Sequence, residues 1–225
     1  MTSITSFCRI TEMQCIVDYK VLVHRDAGSE DPWLKQIYKE QEFVYPKFHK
    51  MDMLTQAGVL ACELIRRARP GIMNYPDDGI ALLFANCSSS ADTDLRFIRS
   101  YDQGGAPSPS LFVYTLPNIV LGEIAILNKW YGEQMFAVLP KFAGSFYTDY
   151  APVVMSTGAA ALLCGWIEVV GNKVDVLLFL VEHTADNVLE FSADSIESLK
   201  QQDSSLSDLK ESSTYLSDGY IKGGS

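Results

Sequence analysis

SPSLFVYTLPNIVLGEIAILNKWYGEQMFAVLPK, residues Ser108 to Lys141, is the stretch whose reading decides the fold. Ser108 and Pro109 predict an extended start, because proline disfavours helix in the residue before it. Thr115 is placed to cap a helix, and Pro117 falls in its first turn, where a missing N–H costs nothing. From Ile119 to Trp130 the apolar residues Ile119, Val120, Ile124, Ile126, Leu127 and Trp130 occupy nearly every side. Such a helix is buried over most of its surface. Gly122 lowers helix propensity and predicts the close approach of another backbone. Gly132 ends the helix. Met135 to Leu139 is a short apolar run of buried-strand type, stopped by Pro140.

Working outward, Met53 to Arg69 places Leu54, Ala57, Leu60, Ala61, Leu64, Ile65 and Ala68 on one helical face and Glu63, Arg66 and Arg67 on the other. Pro70-Gly71 terminates it. Arg66, Arg67 and Arg69 suit either a grip on phosphate or an acidic partner, or a solvated helix C-terminus, where cations are favoured. Ile80 to Ala85 is a buried strand of parallel type, and Asn86-Cys87-Ser88-Ser89-Ser90 follows at its carboxyl end. Ligands in open α/β sheets bind beyond such ends. Asp92 and Asp94 lead into a helix, and Tyr101 to Ser108 is a Gly- and Pro-rich loop. Upstream, Ile10 to Val23 suits one or two strands or a hairpin. Downstream, Phe142 to Asp149 reads as a loop, Pro152 to Val170 as a helix of small and apolar residues, and Val174 to Val181 as a buried strand completing a βαβ unit. From Ser192 onward serine and acidic residues dominate. This divides the chain into an α/β domain over residues 1–190 and a tail over 191–225, disordered or at most weakly helical, with Ile196, Leu199, Leu206 and Leu209 on one side of a helix from Ala193 to Leu209.

Composition excludes several classes. A net charge of -10 over 225 residues lacks the basic surface that nucleic acid or an anionic membrane requires. The five cysteines, at positions 8, 15, 62, 87 and 164, form no close-set pairs of metal-site type. An odd count with no disulfide pattern fits a reducing compartment, so the expected location is cytoplasmic. The N-terminus has no basic region followed by a long apolar stretch, and no apolar run reaches membrane-spanning length. No cofactor and no metal site are expected.

Pro109, Phe112, Thr115, Pro117, Asn118, Gly122, Glu123, Ile124, Ala125 and Gly132 together resemble the N-terminal half of β-ketoacyl synthases, condensing enzymes of the thiolase fold. Lys50-Met51-Asp52 opening a helix, and Ile80 to Phe84 running into the small residues Asn86 to Ser90, extend the resemblance from about Tyr45 to Glu182. It implies a thiolase-like half-fold: an α/β unit of βαβαβαββ order, with a mixed, mostly parallel five-stranded sheet flanked by helices. In that family a strand after the Gly132-equivalent delivers a nucleophilic cysteine at the head of a helix. Here Lys141 stands at that position, between Pro140 and Phe142, and no cysteine is near. The family's further histidines or histidine and asparagine come from a C-terminal half that this sequence does not reach, and His24, His49 and His183 match neither position. Condensation needs a thiolate to carry the acyl chain and imidazoles to stabilise enolate and oxyanion. The resemblance places Thr115, Pro117, Asn118 and Phe142 along a substrate channel or an interface.

Three functions follow as expectations. The first is a ketosynthase-like accessory subunit of carrier-protein-based fatty acid or polyketide assembly, without its own condensing machinery. Its partners would be a full-length ketosynthase in a heterodimer, or a second copy, and an acyl carrier protein. The second is an acyltransferase or thioesterase using Cys87 or Ser88 with His49 or His183. The third is a structural interaction protein. Each of these four residues also has an ordinary reading: small residues packing a strand end for Cys87 and Ser88, and solvated imidazoles for His49 and His183. Cys164 reads as a small core residue within a helix.

Overall fold

The computed structural model describes residues 2–102, 104–184 and 189–202. The strands are β1 (Thr2–Ile10), β2 (Gln14–Val17), β3 (Lys20–His24), β4 (Ile80–Asn86), β5 (Gln134–Val138), β6 (Ala161–Val170), β7 (Lys173–His183) and β8 (Leu189–Glu190). The helices are α1 (Trp33–Glu40), α2 (Met53–Ala68), α3 (Ala91–Asp102), α4 (Pro109–Val113), α5 (Ile119–Asn128), α6 (Gly144–Met155) and α7 (Ala193–Lys200).

All eight strands form one sheet, ordered β3-β2-β1-β7-β6-β4-β5, with β8 beside β1. β4 pairs parallel with both β5 and β6, whereas β7 is antiparallel to β6 and to β1. β1, β4, β5 and β6 therefore run one way and β7 the other. These five strands are the mixed, mostly co-directional unit that the sequence predicts. The sheet has eight strands rather than five because the β2–β3 hairpin and β8 extend it past β1. Without that hairpin, β8 and α7, the order of elements is βαβαβαββ.

Helices cover both faces. α1, α2 and α5 pack on one, with Ile37, Leu60, Ile65, Val120 and Ile124 fully or nearly fully buried against β4, β6 and β7. α6 and α7 lie on the other, over Leu162, Cys164, Trp166, Phe179 and Val181. α2 starts at Asp52, whose carboxylate accepts from Thr55 N at 3.0 Å and from the Thr93 hydroxyl at 2.7 Å, tying α2 to the start of α3. Burial raises the Asp52 pKa against the lowering effect of those donors.

Several expectations fail locally. Pro152 to Val170 is not one helix: α6 begins already at Gly144 and takes in most of the expected loop, Gly158 turns the chain at φ +110°, and β6 follows. β6 is buried on both faces, so its sequence lacks the alternation that identifies a strand. Cys164 accordingly sits in a strand. β7 does not complete a βαβ unit, because two residues, Gly171 and Asn172, join it to β6 as an antiparallel hairpin. Ser108 is extended, as expected before proline, but it caps a short helix, α4, that starts at Pro109, its side chain accepting from Leu111 N. The cap position of α5 is Asn118 rather than Thr115, and the helix ends at Lys129 in left-handed conformation, before Gly132. Gly122 has open space where a Cβ would be; close helix approach belongs to Gly58 in α2, where a Cβ would press on Val120 and Ile167. The helix offered from Ala193 does form over Ala193–Lys200 as α7, with Ile196 and Leu199 buried on its inner side as the sequence places them. Leu206 and Leu209 lie outside the described residues.

Candidate functional site

β1, β4, β5 and β6 all point their carboxyl ends to one edge of the sheet, where Asn86–Ser90 forms a closed turn. The Asn86 side chain is fully buried, donates to Ser89 O at 2.8 Å and accepts from Ser89 N at 2.9 Å. Ser89 takes a left-handed φ of +52° to allow it. Ser90 donates to Thr115 O at 2.6 Å, so the small residues do let the strand end pack under the segment before α5. Cys87 is exposed, and its thiol donates to Pro140 O at 3.4 Å. The turn thus lies directly beside the end of β5, where Leu139 N donates to Asn86 O at 2.8 Å.

A nucleophile on this turn would need free backbone N–H groups to receive the oxyanion. They are not free. Glu168, from β6, accepts from Cys87 N at 2.7 Å and from Ser88 N at 3.2 Å through a single carboxylate oxygen. The donors that an oxyanion would need are taken by a carboxyl oxygen of the same chain. The histidines are also apart. Register aligns Ile80, Ala161 and Glu182 across the sheet, so His183 lies at the edge opposite Cys87. Seven to eight residues of strand separate the two levels, which is about 25 Å. His183 is exposed, with its Nδ1 3.3 Å from the Thr2 hydroxyl. His49 lies in the 3-10 turn Pro46–Lys50, exposed, with its ring at 5.0 Å from that of Tyr38 and 5.5 Å from that of Phe48. No hydrogen bond joins either histidine to Cys87 or Ser88 among the described residues.

The other predicted position is the junction of β5 and α6. Lys141 is exposed and stands three residues before α6. Phe142 is half-buried, at 5.4 Å from the Trp166 ring and 6.2 Å from that of Tyr147. A helix N-terminus favours an anion through its unpaired N–H groups and dipole. At α6 the protein supplies that anion itself: Glu197 of α7 accepts from Gly144 N at 2.7 Å. A Cβ on Gly144 would lie 2.6 Å from Ala193 O, so α7 rests directly on the start of α6. Glu168 and Glu197 were not legible as site residues, because nothing in their sequence neighbourhood distinguishes them from ordinary acidic residues on a strand and a helix.

Thr115 and Pro117 are half-buried and Asn118 is exposed, all three in the segment above the β4 turn. The arginines of α2 are engaged internally: Arg66 and Arg67 on Glu63, at 2.5 and 2.7 Å, and Arg69 on Glu182 at 3.3 Å. Among the described residues there is no cluster of three or more His, Cys, Asp or Glu able to hold a metal, and no helix is long and apolar enough to cross a membrane.

No family model and no curated protein matches the sequence. Solved structures do match. The ishigamide ketosynthase/chain length factor superposes with a TM-score of 0.60 at 19% identity, over 83% of this chain and 63% of that one. This chain has the ketosynthase fold. A second match is a chain of the complex of the ketosynthase ApeO with its chain length factor ApeC, from Xenorhabdus doucetiae. It has a TM-score of 0.56 at 11% identity, over 88% of this chain and 90% of that one, so the two chains are nearly equal in length. A third is AntDE:AntF, a type II polyketide synthase acyl-carrier protein in complex with its ketosynthase, with a TM-score of 0.56 at 12% identity, over 81% of this chain and 62% of that one. The chain thus spans about three fifths of the ketosynthase-fold chains in the first and third structures.

Proposed function

We propose that the chain is a ketosynthase-like accessory subunit without condensing activity of its own, a partner of the chain-length-factor type for a ketosynthase in carrier-protein-based fatty acid or polyketide assembly. One observation carries the reading. The turn that carries Cys87 and Ser88 has both of their backbone N–H groups bound by Glu168, and at the head of α6, three residues after the Lys141 position, Glu197 binds Gly144 N. Residues 139–145, Leu-Pro-Lys-Phe-Ala-Gly-Ser, contain no cysteine. A matching chain of nearly the same length comes from a ketosynthase–chain length factor complex, which supports the accessory role.

The surface supports a protein partner. Among the described residues β5 is an edge strand, paired on one side only, and Val138 at its end is exposed. Phe112, Val113, Leu116 and Ile126 are exposed on the preceding helices and loop. Phe112 lies ring to ring with Phe97 of α3 at 5.5 Å, and a protein partner would cover the apolar side chains left exposed there. For an acidic carrier protein the relevant cations are Arg96 and Arg99 on α3. Both are exposed and neither has an ion pair within 4.0 Å among the described residues, unlike the arginines of α2.

The acyltransferase reading is disfavoured by the same geometry, with His183 about 25 Å from Cys87 and the turn N–H groups occupied. Intact-mass measurement after incubation with acyl-coenzyme A and acyl carrier protein thioesters tests the choice. An unmodified mass is expected for the wild type. An acyl adduct that disappears in Cys87→Ala would make the chain an enzyme and overturn the proposal.

A further inference from the structure

The geometry points to α7 as a latched strap that lifts from the start of α6 as a unit, rather than as a fixed part of the core. An eight-residue helix does not persist alone in water, so α7 exists only while docked. Its attachment is narrow. Ile196 and Leu199 are its only buried side chains. Beyond these and the contact of the Ala193 backbone with Gly144, the attachment is made by polar groups at definite points. Glu197 takes Gly144 N. At the other end, Lys200 binds both oxygens of Asp175 at 2.6 and 2.9 Å and lies 5.3 Å over the Phe142 ring. Arg9 donates to Lys200 O at 3.1 Å.

The latch is built so that release leaves the sheet whole. Arg9 and Asp175 stand on neighbouring strands, β1 and β7, and are paired with each other at 2.6 Å. Arg9 further donates to Val176 O at 2.9 Å. When Lys200 leaves, Asp175 keeps Arg9 and Arg9 keeps its strand partners, so no charge is left buried and alone. Lifting the strap uncovers Phe142, Ala143 and Gly144, the head of α6, together with the apolar patch on which Ile196 and Leu199 pack. It therefore decides whether that position faces its own chain, solvent or another polypeptide. The inference does not depend on the accessory-subunit reading.

Gly144→Ala is the direct probe, because the added methyl meets Ala193 O and leaves β6 and β7 untouched. Lys200→Met is the second, removing the latch cation from a side chain outside the sheet. Amide hydrogen exchange read by mass spectrometry on the full chain is the measurement. In Gly144→Ala, exchange in residues 191–202 and 142–146 is expected to rise by about tenfold or more, with β6 and β7 as protected as in the wild type. Lys200→Met should raise the same two segments by a smaller factor. Loss of protection in β6 and β7 together with α7 would show α7 to be integral to the core. Unchanged exchange in both variants would equally overturn the strap.

Discussion

Gly132→Ala is expected to destabilise the fold by about 3 kcal/mol, with the chemical-denaturation midpoint falling and the far-ultraviolet circular dichroism of the folded state retained. The methyl would stand well inside van der Waals contact of Ile80 O and 3.0 Å from Asp78 O. Both are backbone atoms, so no side-chain rotation relieves them. Ile80 is fully buried and opens β4, pairing with Ala161 of β6. Two residues on, Leu82 N donates to Glu133 O at 2.9 Å, so the strain falls where β4 and β5 begin to pair. A change below about 0.5 kcal/mol would mean that the two backbones have room to separate.

Tyr147→Ala should cost about 4 kcal/mol, the range for deleting a large aromatic from a packed core. Tyr147 is fully buried on α6, with rings of Phe146 at 5.1 Å, Phe179 at 5.2 Å and Phe142 at 6.2 Å. Its hydroxyl donates to Gly165 O at 2.9 Å, and burial drives its pKa well up, so it stays a neutral donor. Tyr147→Phe keeps the ring and removes only that bond, for an expected loss of about 1 kcal/mol. Equal losses in the two variants would assign the residue's contribution to the hydrogen bond and contradict the packing account.

The contrast between those two sites explains what the sequence discloses. Gly132 is visible as a turn residue, and Met135 to Leu139 and Ile80 to Ala85 are visible as strands, because short apolar runs bounded by Gly and Pro have few other uses. α2 is visible because its apolar residues keep helical period. β6 is hidden because burial on both faces removes alternation, and LLCGWIEVV then looks like an apolar helix. The eighth-strand count is hidden for a different reason: the β2–β3 hairpin pairs onto the far edge of β1, and sequence proximity does not show on which side of the sheet it lands. At the candidate site the small-residue turn was legible and its chemistry was not. Cys87 looks like a nucleophile until a carboxylate 81 positions later in the chain is placed on its N–H. Glu197 is 53 positions from the Gly144 it caps. Such contacts are created by topology, and no local pattern encodes them.

The most direct test of the account is the native mass of the tagged protein recovered from its own cells, with the intact mass of every component. Recovery in a complex with a ketosynthase-sized chain, and this chain unmodified, is the result the account predicts. Recovery alone, carrying an acyl group, would contradict it.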